Sequence, residues 1–311
     1  MSDLILHQYD SSPFSEKVRL VMGLKSIAYQ VVEVPVMLPK PDVVALTGGY
    51  RRTPFLQVGG DIYCDSALIC DVLEQRVPQP PLYPAALTGV QHVVANWADA
   101  TLFWAAIPYA LQVGGLGQRM AAAGPEFLKA FGADRAAMTA GRARPGPADT
   151  GVYLHRQLAW VESMLADGRP FLLGAVPCIA DVSAAQSVWH LRRAPLLADL
   201  FVPYPRLSAW YTRVAAFGHG TPSPLSSADA IGIARQSTAF APVQVDAGLG
   251  FEAGTTVVVS ATDYGTDPNE GTLVGLTPAE VVIERVDERA GRVHVHFPRL
   301  GYQVKAPKTS I

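Results

Sequence analysis

The first third of the chain alternates between the apolar spacing of strands and that of helices. Short apolar runs at 4–9 and 29–34 predict two strands, the second rich in β-branched residues. Between them, apolar residues at helical spacing predict a helix that begins just after Ser12. Ser12 is a favourable N-cap, and Pro13 suits the first helical position because the N–H that it lacks has no partner there.

A hairpin pattern follows farther along. Two apolar runs within 55–64 flank a Gly-Gly-Asp turn, which predicts an antiparallel pair of strands. Asp65 and Ser66 then open a helix with apolar residues at helical spacing. With a short helical or irregular link before the hairpin, the predicted order is βαβ followed by ββα.

The pattern changes twice after this α/β segment, first to helical spacing and then to strand spacing. The predicted helices span 87–111, 150–165, 179–192 and 205–217, with a short one near 125–131. The predicted strands span 255–261, 271–276, 280–286 and 292–297. A Pro/Ser-rich joint at 221–224 separates the two classes. We therefore predict a thioredoxin-like α/β domain at 1–80, an all-helical domain at 86–222 and a small β-rich domain at 228–311.

Composition and charge narrow the function classes. The formal net charge of −2 over 311 residues gives no broad basic field, so nucleic acid and anionic membrane are not expected as partners. No apolar run approaches the roughly 20 residues that span a bilayer, and the first residues lack a signal-peptide pattern. Three cysteines without metal-type spacing indicate reduced thiols, so we expect a cytoplasmic protein.

Segments in a fixed order along about two-thirds of the chain resemble the glutathione transferase superfamily. They are 9–19, which resembles the first strand–helix junction of serine- and cysteine-type members; 52–56, which resembles the cis-proline segment; 65–66, which resembles the acidic-Ser pair; and 171–174 with 178–181, which resemble the buried capping box. Ser-Pro-Phe-Ser at 12–15 takes the place of the glutaredoxin Cys-Pro-Tyr-Cys site. The resemblance implies a thioredoxin-like domain packed on an all-helical domain, a homodimer, and glutathione as co-substrate.

The thiol-activating residue that this resemblance implies is Ser12. A thiol has a pKa of about 8.5, so only a few per cent is thiolate at neutral pH, and a hydroxyl donor at a helix N-terminus stabilises the anion. Ser12 would hold the glutathione sulfur without itself attacking the substrate. Ser11 and Tyr9 are rival hydroxyls. A serine at position 12 argues against reactions that need a mixed disulfide with a protein cysteine.

Glutathione is expected to bind around that hydroxyl. A cis-Pro54 would let the Thr53 backbone pair with the cysteinyl part of the peptide. Asp65 would accept from the ligand's ammonium group, and Ser66 would bind its α-carboxylate at a helix N-terminus. The remaining predicted glutathione contacts are Phe14, Lys40 and Arg52, the last two as candidates for the glycyl carboxylate. Candidates for an electrophile pocket are aromatic residues of the long helix, for which the apolar core is the alternative: Phe103, Trp104 and Tyr109.

Two functions follow from this interpretation. The first is a glutathione transferase that activates the thiol for attack on a small hydrophobic electrophile, with conjugation, isomerisation and peroxide reduction open. The second is a non-catalytic glutathione-fold protein that binds a partner through its helical and β-rich domains. His294 and His296 share one face of a predicted strand, but without a third ligand they predict a polar face and no metal site. The acidic stretch 263–270 is interpreted as a surface turn.

Overall fold

The computed structural model describes residues 3–115, 122–143 and 145–307, and the predicted domain limits at 1 and 311 lie outside these ranges. Its first part has the predicted thioredoxin-like order. The elements are β1 (Leu4–Gln8), α1 (Pro13–Leu24), β2 (Ala28–Glu33), α2 (Pro41–Thr47), β3 (Phe55–Val58), β4 (Asp61–Cys64) and α3 (Ser66–Arg76). The link before the hairpin is helical, and α2 begins at Pro41, where no N–H is needed.

The middle of the chain is helical, as predicted. The helices are α4 (Thr88–Trp97), α5 (Phe103–Gln112), α6 (Pro125–Met138), α7 (Pro147–Met164), α8 (Ile179–Arg192) and α9 (Pro205–Ala215). A π-helical turn at Ala98–Leu102 joins α4 to α5, so the single helix predicted at 87–111 contains this turn. Asp99 in the turn lies 2.5 Å from the Lys17 ammonium group of α1, which links the helical part to the thioredoxin-like part.

Asp181 in the first turn of α8 organises the centre of the helical part. Its carboxylate accepts from the backbone N–H of Cys178 at 2.9 Å, the reaching-back contact that the capping-box resemblance implies. It also accepts from the Leu172 backbone N–H at 2.9 Å and from the Trp210 indole N–H at 2.8 Å. These three donors satisfy a carboxylate that is 0% exposed.

The C-terminal strands continue the sheet of the thioredoxin-like part. The elements are β5 (Thr221–Pro224), α10 (Ser227–Gln236), β6 (Thr256–Ala261), β7 (Asn269–Leu276), β8 (Glu280–Asp287), β9 (Gly291–Pro298) and β10 (Tyr302–Lys305). The described strands lie in the order β10-β6-β7-β8-β9-β4-β3-β1-β2-β5, and β4 pairs in parallel with β9. The predicted β-rich region is therefore present, whereas β5, α10 and β10 were not predicted. The division into three domains stays a prediction.

Two apolar cores lie on opposite faces of the N-terminal strands. Leu4 and Leu6 of β1 belong to the core shared with the helical part, and Ile5 between them belongs to the core shared with the C-terminal strands. All five residues of β1 are consequently buried. A short turn joins this buried strand to Ser12, so the start of α1 lies close to a strand that is packed on both faces. Within the described ranges, no helix has the length and apolar character needed to cross a membrane.

Candidate functional site

Ser12 occupies the turn between β1 and α1. Its side chain caps α1, since Oγ accepts from the Ser15 N–H at 3.2 Å. The hydroxyl donates to the Thr53 carbonyl oxygen at 3.3 Å, and the peptide bond between Thr53 and Pro54 is cis. The fold therefore brings Ser12 and the Thr53 backbone together, and Ser12 is only 2% exposed.

A cavity of about 1430 Å³ opens beside Ser12 and is lined by the thioredoxin-like, helical and C-terminal parts. It exceeds the roughly 300–1,000 Å³ of common small-molecule sites. The predicted site residues along its wall are Ser12, Phe14, Lys40, Arg52, Thr53, Phe103 and Trp104, together with the rival hydroxyls of Tyr9 and Ser11. Four other predicted residues are not among the described lining residues: Pro54, Asp65, Ser66 and Tyr109.

A row of aromatic rings crosses the wall of this cavity. The Phe14 and Phe103 ring centroids are 4.6 Å apart, and those of Phe103 and Trp104 are 5.1 Å apart. Trp104 meets Tyr264 edge-on at 5.2 Å. Tyr264 lies between β6 and β7, so all three parts of the chain contribute to one apolar surface, which suits a hydrophobic ligand group.

Lys40 brings a buried cation to the same cavity. The residue is 4% exposed, and Nζ donates to the Arg51 carbonyl oxygen at 3.3 Å and to Thr53 Oγ1 at 3.5 Å. Burial, together with the nearby Arg135 and Arg51 charges, lowers the pKa of Lys40 to about 8. Among the described residues no carboxylate lies within ion-pair distance of this nitrogen, so Lys40 is suited to bind an anionic group of a ligand.

Arg52 points into a cluster that the C-terminal part supplies. Its guanidinium binds the Asp263 carboxylate and the Tyr264 carbonyl oxygen, and its central carbon lies 3.9 Å from the centroid of the Tyr264 ring. The Asp65 carboxylate lies 3.9 Å from the same guanidinium. Arg52 thus connects a predicted ligand-binding carboxylate to the segment between β6 and β7.

Asp65 stands at the start of α3 and already has partners within the protein. Its carboxylate caps α3 by accepting from the Ala67 N–H at 3.0 Å, and it accepts from the Tyr302 hydroxyl at 3.1 Å. The backbone φ of Asp65 is 80°, a left-handed value that non-glycine residues rarely adopt and that often marks functional sites. Ser66 beside it is 6% exposed.

Sequence reasoning missed the residues of the C-terminal part that contact the predicted site residues Arg52 and Asp65, namely Asp263, Tyr264 and Tyr302. It also missed Arg51 and Arg135, which line the cavity near Lys40. The interpretation of 263–270 as a surface turn describes Asp263, which is exposed, but not the Tyr264 ring, which lines the cavity. An aromatic residue inside an acidic stretch is the signal that could have indicated a buried contact there.

Comparisons with known proteins agree with the fold and with the order of its N-terminal and helical parts along the chain. A model of the glutathione S-transferase N-terminal domain matches residues 6–81, and one of the C-terminal domain matches residues 148–213. The crystal structure of a GST-like protein from Pseudomonas syringae is 39% identical with a TM-score of 0.80, and covers 99% of this chain and 100% of that one. A glutathione S-transferase from Rhodospirillum rubrum F11, 21% identical with a TM-score of 0.54, covers 68% of this chain and 88% of its own and supports the fold alone.

Two curated relatives from Drosophila melanogaster match over shorter stretches. A probable maleylacetoacetate isomerase 1 is 34% identical over 86 residues, and a pyrimidodiazepine synthase is 29% identical over 85 residues. Each match covers 26% of this chain and 35% of the relative, so the chain spans about a third of the length of these relatives. Both family models fall on the parts predicted for them, and the match to the Pseudomonas syringae protein extends over the C-terminal strands. This chain belongs to the glutathione S-transferase superfamily.

Proposed function

We propose that this protein is a glutathione transferase that holds the glutathione sulfur against the Ser12 hydroxyl and activates it for attack on a small hydrophobic electrophile. The observation that carries the proposal is the capped start of α1, which lies beside the Thr53 carbonyl at the cis-Pro54 bond and opens onto a large cavity. Isomerisation belongs to the same proposal, since one relative matched over part of its length is a probable isomerase.

The energy needed for thiol activation is within reach of one hydroxyl. Lowering a thiol pKa from about 8.5 to about 7 raises the thiolate fraction at neutral pH from about 3% to about 50%, and requires about 2 kcal/mol. A hydrogen bond to a charged group contributes about 1.5–3 kcal/mol. The bond from Ser12 to the Thr53 carbonyl is long for a hydroxyl donor at 3.3 Å, so a thiolate competes well for this proton.

The surrounding residues take complementary roles in the proposal. The Thr53 backbone pairs with the cysteinyl part of glutathione, and Lys40 binds the glycyl carboxylate. Phe103 and Trp104 hold the electrophile on the aromatic side of the cavity. The γ-glutamyl end reaches Asp65 by replacing its internal contacts with Arg52 and Tyr302.

We further propose that the protein acts as a cytoplasmic homodimer without a metal in the glutathione site. The three cysteines are buried free thiols, which is typical of reducing compartments. Gel filtration with light scattering would measure the oligomeric state, and a monomeric mass at micromolar concentration would exclude the dimer.

Glutathione binding and turnover with 1-chloro-2,4-dinitrobenzene test the proposal together. Ser12→Ala should reduce kcat/KM about 30-fold, which corresponds to about 2 kcal/mol, and should lower the thiolate absorbance of bound glutathione while its affinity changes little. Ser11→Ala and Tyr9→Phe are the matched controls and should retain activity. Full activity in Ser12→Ala together with a loss in either control would move the role to that hydroxyl, and absence of glutathione binding in the wild type would refute the proposal.

A second function, non-catalytic binding of a partner or metabolite, is favoured by one observation. Asp65, the expected acceptor for the glutathione ammonium group, is already held by Tyr302 and lies near Arg52. Glutathione binding that is lost in Asp65→Ala, without turnover of any electrophile, would support this function. Turnover that depends on Ser12 would exclude it.

A further inference from the structure

A cluster of ionisable side chains lies at the junction of β4 and β9, outside the cavity. Asp61, His294 and His296 are 5%, 8% and 1% exposed, and one nitrogen or oxygen from each lies within 4.8 Å of those from the other two. The parallel register sets Asp61 opposite His294, and His296 lies two residues along on the same face. The sequence pattern offered no third ligand beside the two histidines. Asp61 now supplies one, although it lies 235 residues from His296 in the chain.

Both imidazole rings turn one nitrogen toward the same oxygen of Asp61. His296 Nε2 lies 2.8 Å from Oδ1, and His294 Nδ1 lies 3.9 Å from it. His294 Nδ1 is buried and has no hydrogen-bond partner among the described residues. The other carboxylate oxygen accepts from the Ala241 N–H at 2.9 Å, which holds Oδ1 toward the histidines.

The second nitrogen of each ring faces a glutamate of β8. His296 Nδ1 lies 2.8 Å from the Glu280 carboxylate, and His294 Nε2 lies 3.4 Å from that of Glu284. In metal centres, ligating histidines usually donate their other N–H to such a group, which fixes the tautomer and leaves the first nitrogen available to the metal. The Glu280 and Glu284 side chains are 29% and 30% exposed, so these two partners link the buried cluster to solvent.

We propose that Asp61, His294 and His296 form a binding site for a divalent transition-metal ion, with Zn²⁺ as the best match. Zinc takes imidazole nitrogens and carboxylate oxygens, and water can supply its fourth tetrahedral ligand. Ligand atoms bound at about 2.1 Å in a tetrahedron lie about 3.4 Å apart. The separations of 2.8 and 3.9 Å between Asp61 and the two histidines bracket this value, and all three ligand atoms lie within 4.8 Å of one another.

The site has a structural consequence that is independent of the proposed function. Asp61 belongs to β4 and both histidines belong to β9, so one ion would fasten the C-terminal strands to the thioredoxin-like sheet. A proton shared between His296 and its two carboxylates is the competing arrangement, and metal binding distinguishes the two.

The test uses the full chain without a polyhistidine tag, after a chelator has removed bound metal. Zn²⁺ should bind with saturable one-to-one stoichiometry in calorimetry and raise the Tm, and Co²⁺ should give the intense visible bands of tetrahedral coordination. His294→Asn should abolish both signals. Glu280→Gln keeps the three ligands and should weaken Zn²⁺ binding by about 10- to 100-fold.

His92→Asn is the matched control, since His92 is an exposed histidine that stacks on Tyr83 and does not belong to the cluster, and its loss should leave Zn²⁺ affinity unchanged. If a variant does not fold, the Co²⁺ spectrum and the Zn²⁺-dependent Tm of the wild type still show whether the protein binds a metal ion. Absence of saturable Zn²⁺ binding by the wild type, or unchanged binding in a folded His294→Asn variant, would overturn the proposal and leave the cluster as an ion-pair network.

Discussion

The ion pair between Lys17 and Asp99 connects the helix that begins at Ser12 to the helical part of the protein. Lys17 lies on α1, Asp99 lies in the π-helical turn, and Nζ is 2.5 Å from Oδ2. Asp99 also accepts from the Gln186 side chain of α8 at 2.6 Å. Lys17→Met preserves the length of the aliphatic stem but leaves the carboxylate without its cation.

The expected cost of Lys17→Met follows from the burial of the pair. Removing one partner of a buried ion pair usually costs about 3–5 kcal/mol, because the other charge stays desolvated. Lys17 is 1% exposed, whereas the Asp99 side chain is 21% exposed, so water partly solvates the remaining carboxylate. We therefore expect the free energy of unfolding to fall by about 2–4 kcal/mol at neutral pH.

The pH dependence of this loss gives a sharper test. Burial raises the pKa of Asp99, although Lys17 opposes the shift, so the pKa should rise further in Lys17→Met. A carboxyl whose pKa is higher in the folded protein than in the unfolded chain destabilises the fold as pH rises and ceases to do so on acidification. The deficit of Lys17→Met relative to the wild type should therefore be largest near neutral pH and shrink as pH falls.

Urea unfolding followed by tryptophan fluorescence, at a series of pH values, measures this deficit. A cycle of Lys17→Met, Asp99→Asn and the double variant gives the coupling between the two side chains. Arg169→Met removes an exposed ion pair with Asp167 and should have little effect. A deficit below about 1 kcal/mol, or one that does not change with pH, would refute the assignment of Asp99 as a desolvated carboxylate that depends on Lys17.

Three further predictions concern the ligand site and its support. Glutathione affinity should fall as pH rises through about 8, because Lys40 then loses the charge that binds the glycyl carboxylate; calorimetry on Lys40→Met should show no such step. Tyr302→Phe frees Asp65 from an internal donor, so calorimetry should find glutathione bound about fivefold more tightly, and unchanged affinity would argue against Asp65 as the ammonium acceptor. Asp181→Asn leaves a buried N–H without an acceptor, so urea titration should find the free energy of unfolding lower by about 1–3 kcal/mol, and wild-type stability would contradict this account of the helical core.

Elements defined by local signals were predictable from the sequence. The helix predicted at 179–192 has those bounds in the structure, because Asp181 marks its start and its apolar residues repeat at helical spacing. β5 was missed because Thr-Pro-Ser-Pro is typical of a linker, yet prolines are tolerated on the outer strand of a sheet, where β5 lies. β10 was missed because Tyr-Gln-Val-Lys has fewer apolar residues than the equally short β3 and β4.

The candidate site shows the same difference between features set by short motifs and contacts between distant parts of the chain. Ser12 and the cis-Pro54 follow from short motifs, so their proximity could be predicted. The contact of Arg52 with Tyr264 spans 212 residues, and that of Asp65 with Tyr302 spans 237. Such contacts depend on which strands pair across the sheet, and the apolar alternation along one strand shows which face is buried but not which distant strand is its partner.

The parallel pairing of β4 with β9 also means that β4 lacks its neighbouring strand until β9 has been synthesised. At about 5–20 residues per second, the ribosome needs roughly ten to fifty seconds to make the 235 residues between Asp61 and His296. Throughout that interval β4 is an uncovered edge, the kind of surface that invites pairing with a neighbouring nascent chain. A cell that makes many copies of this protein at once should therefore need chaperones that cover this edge until β9 has been synthesised.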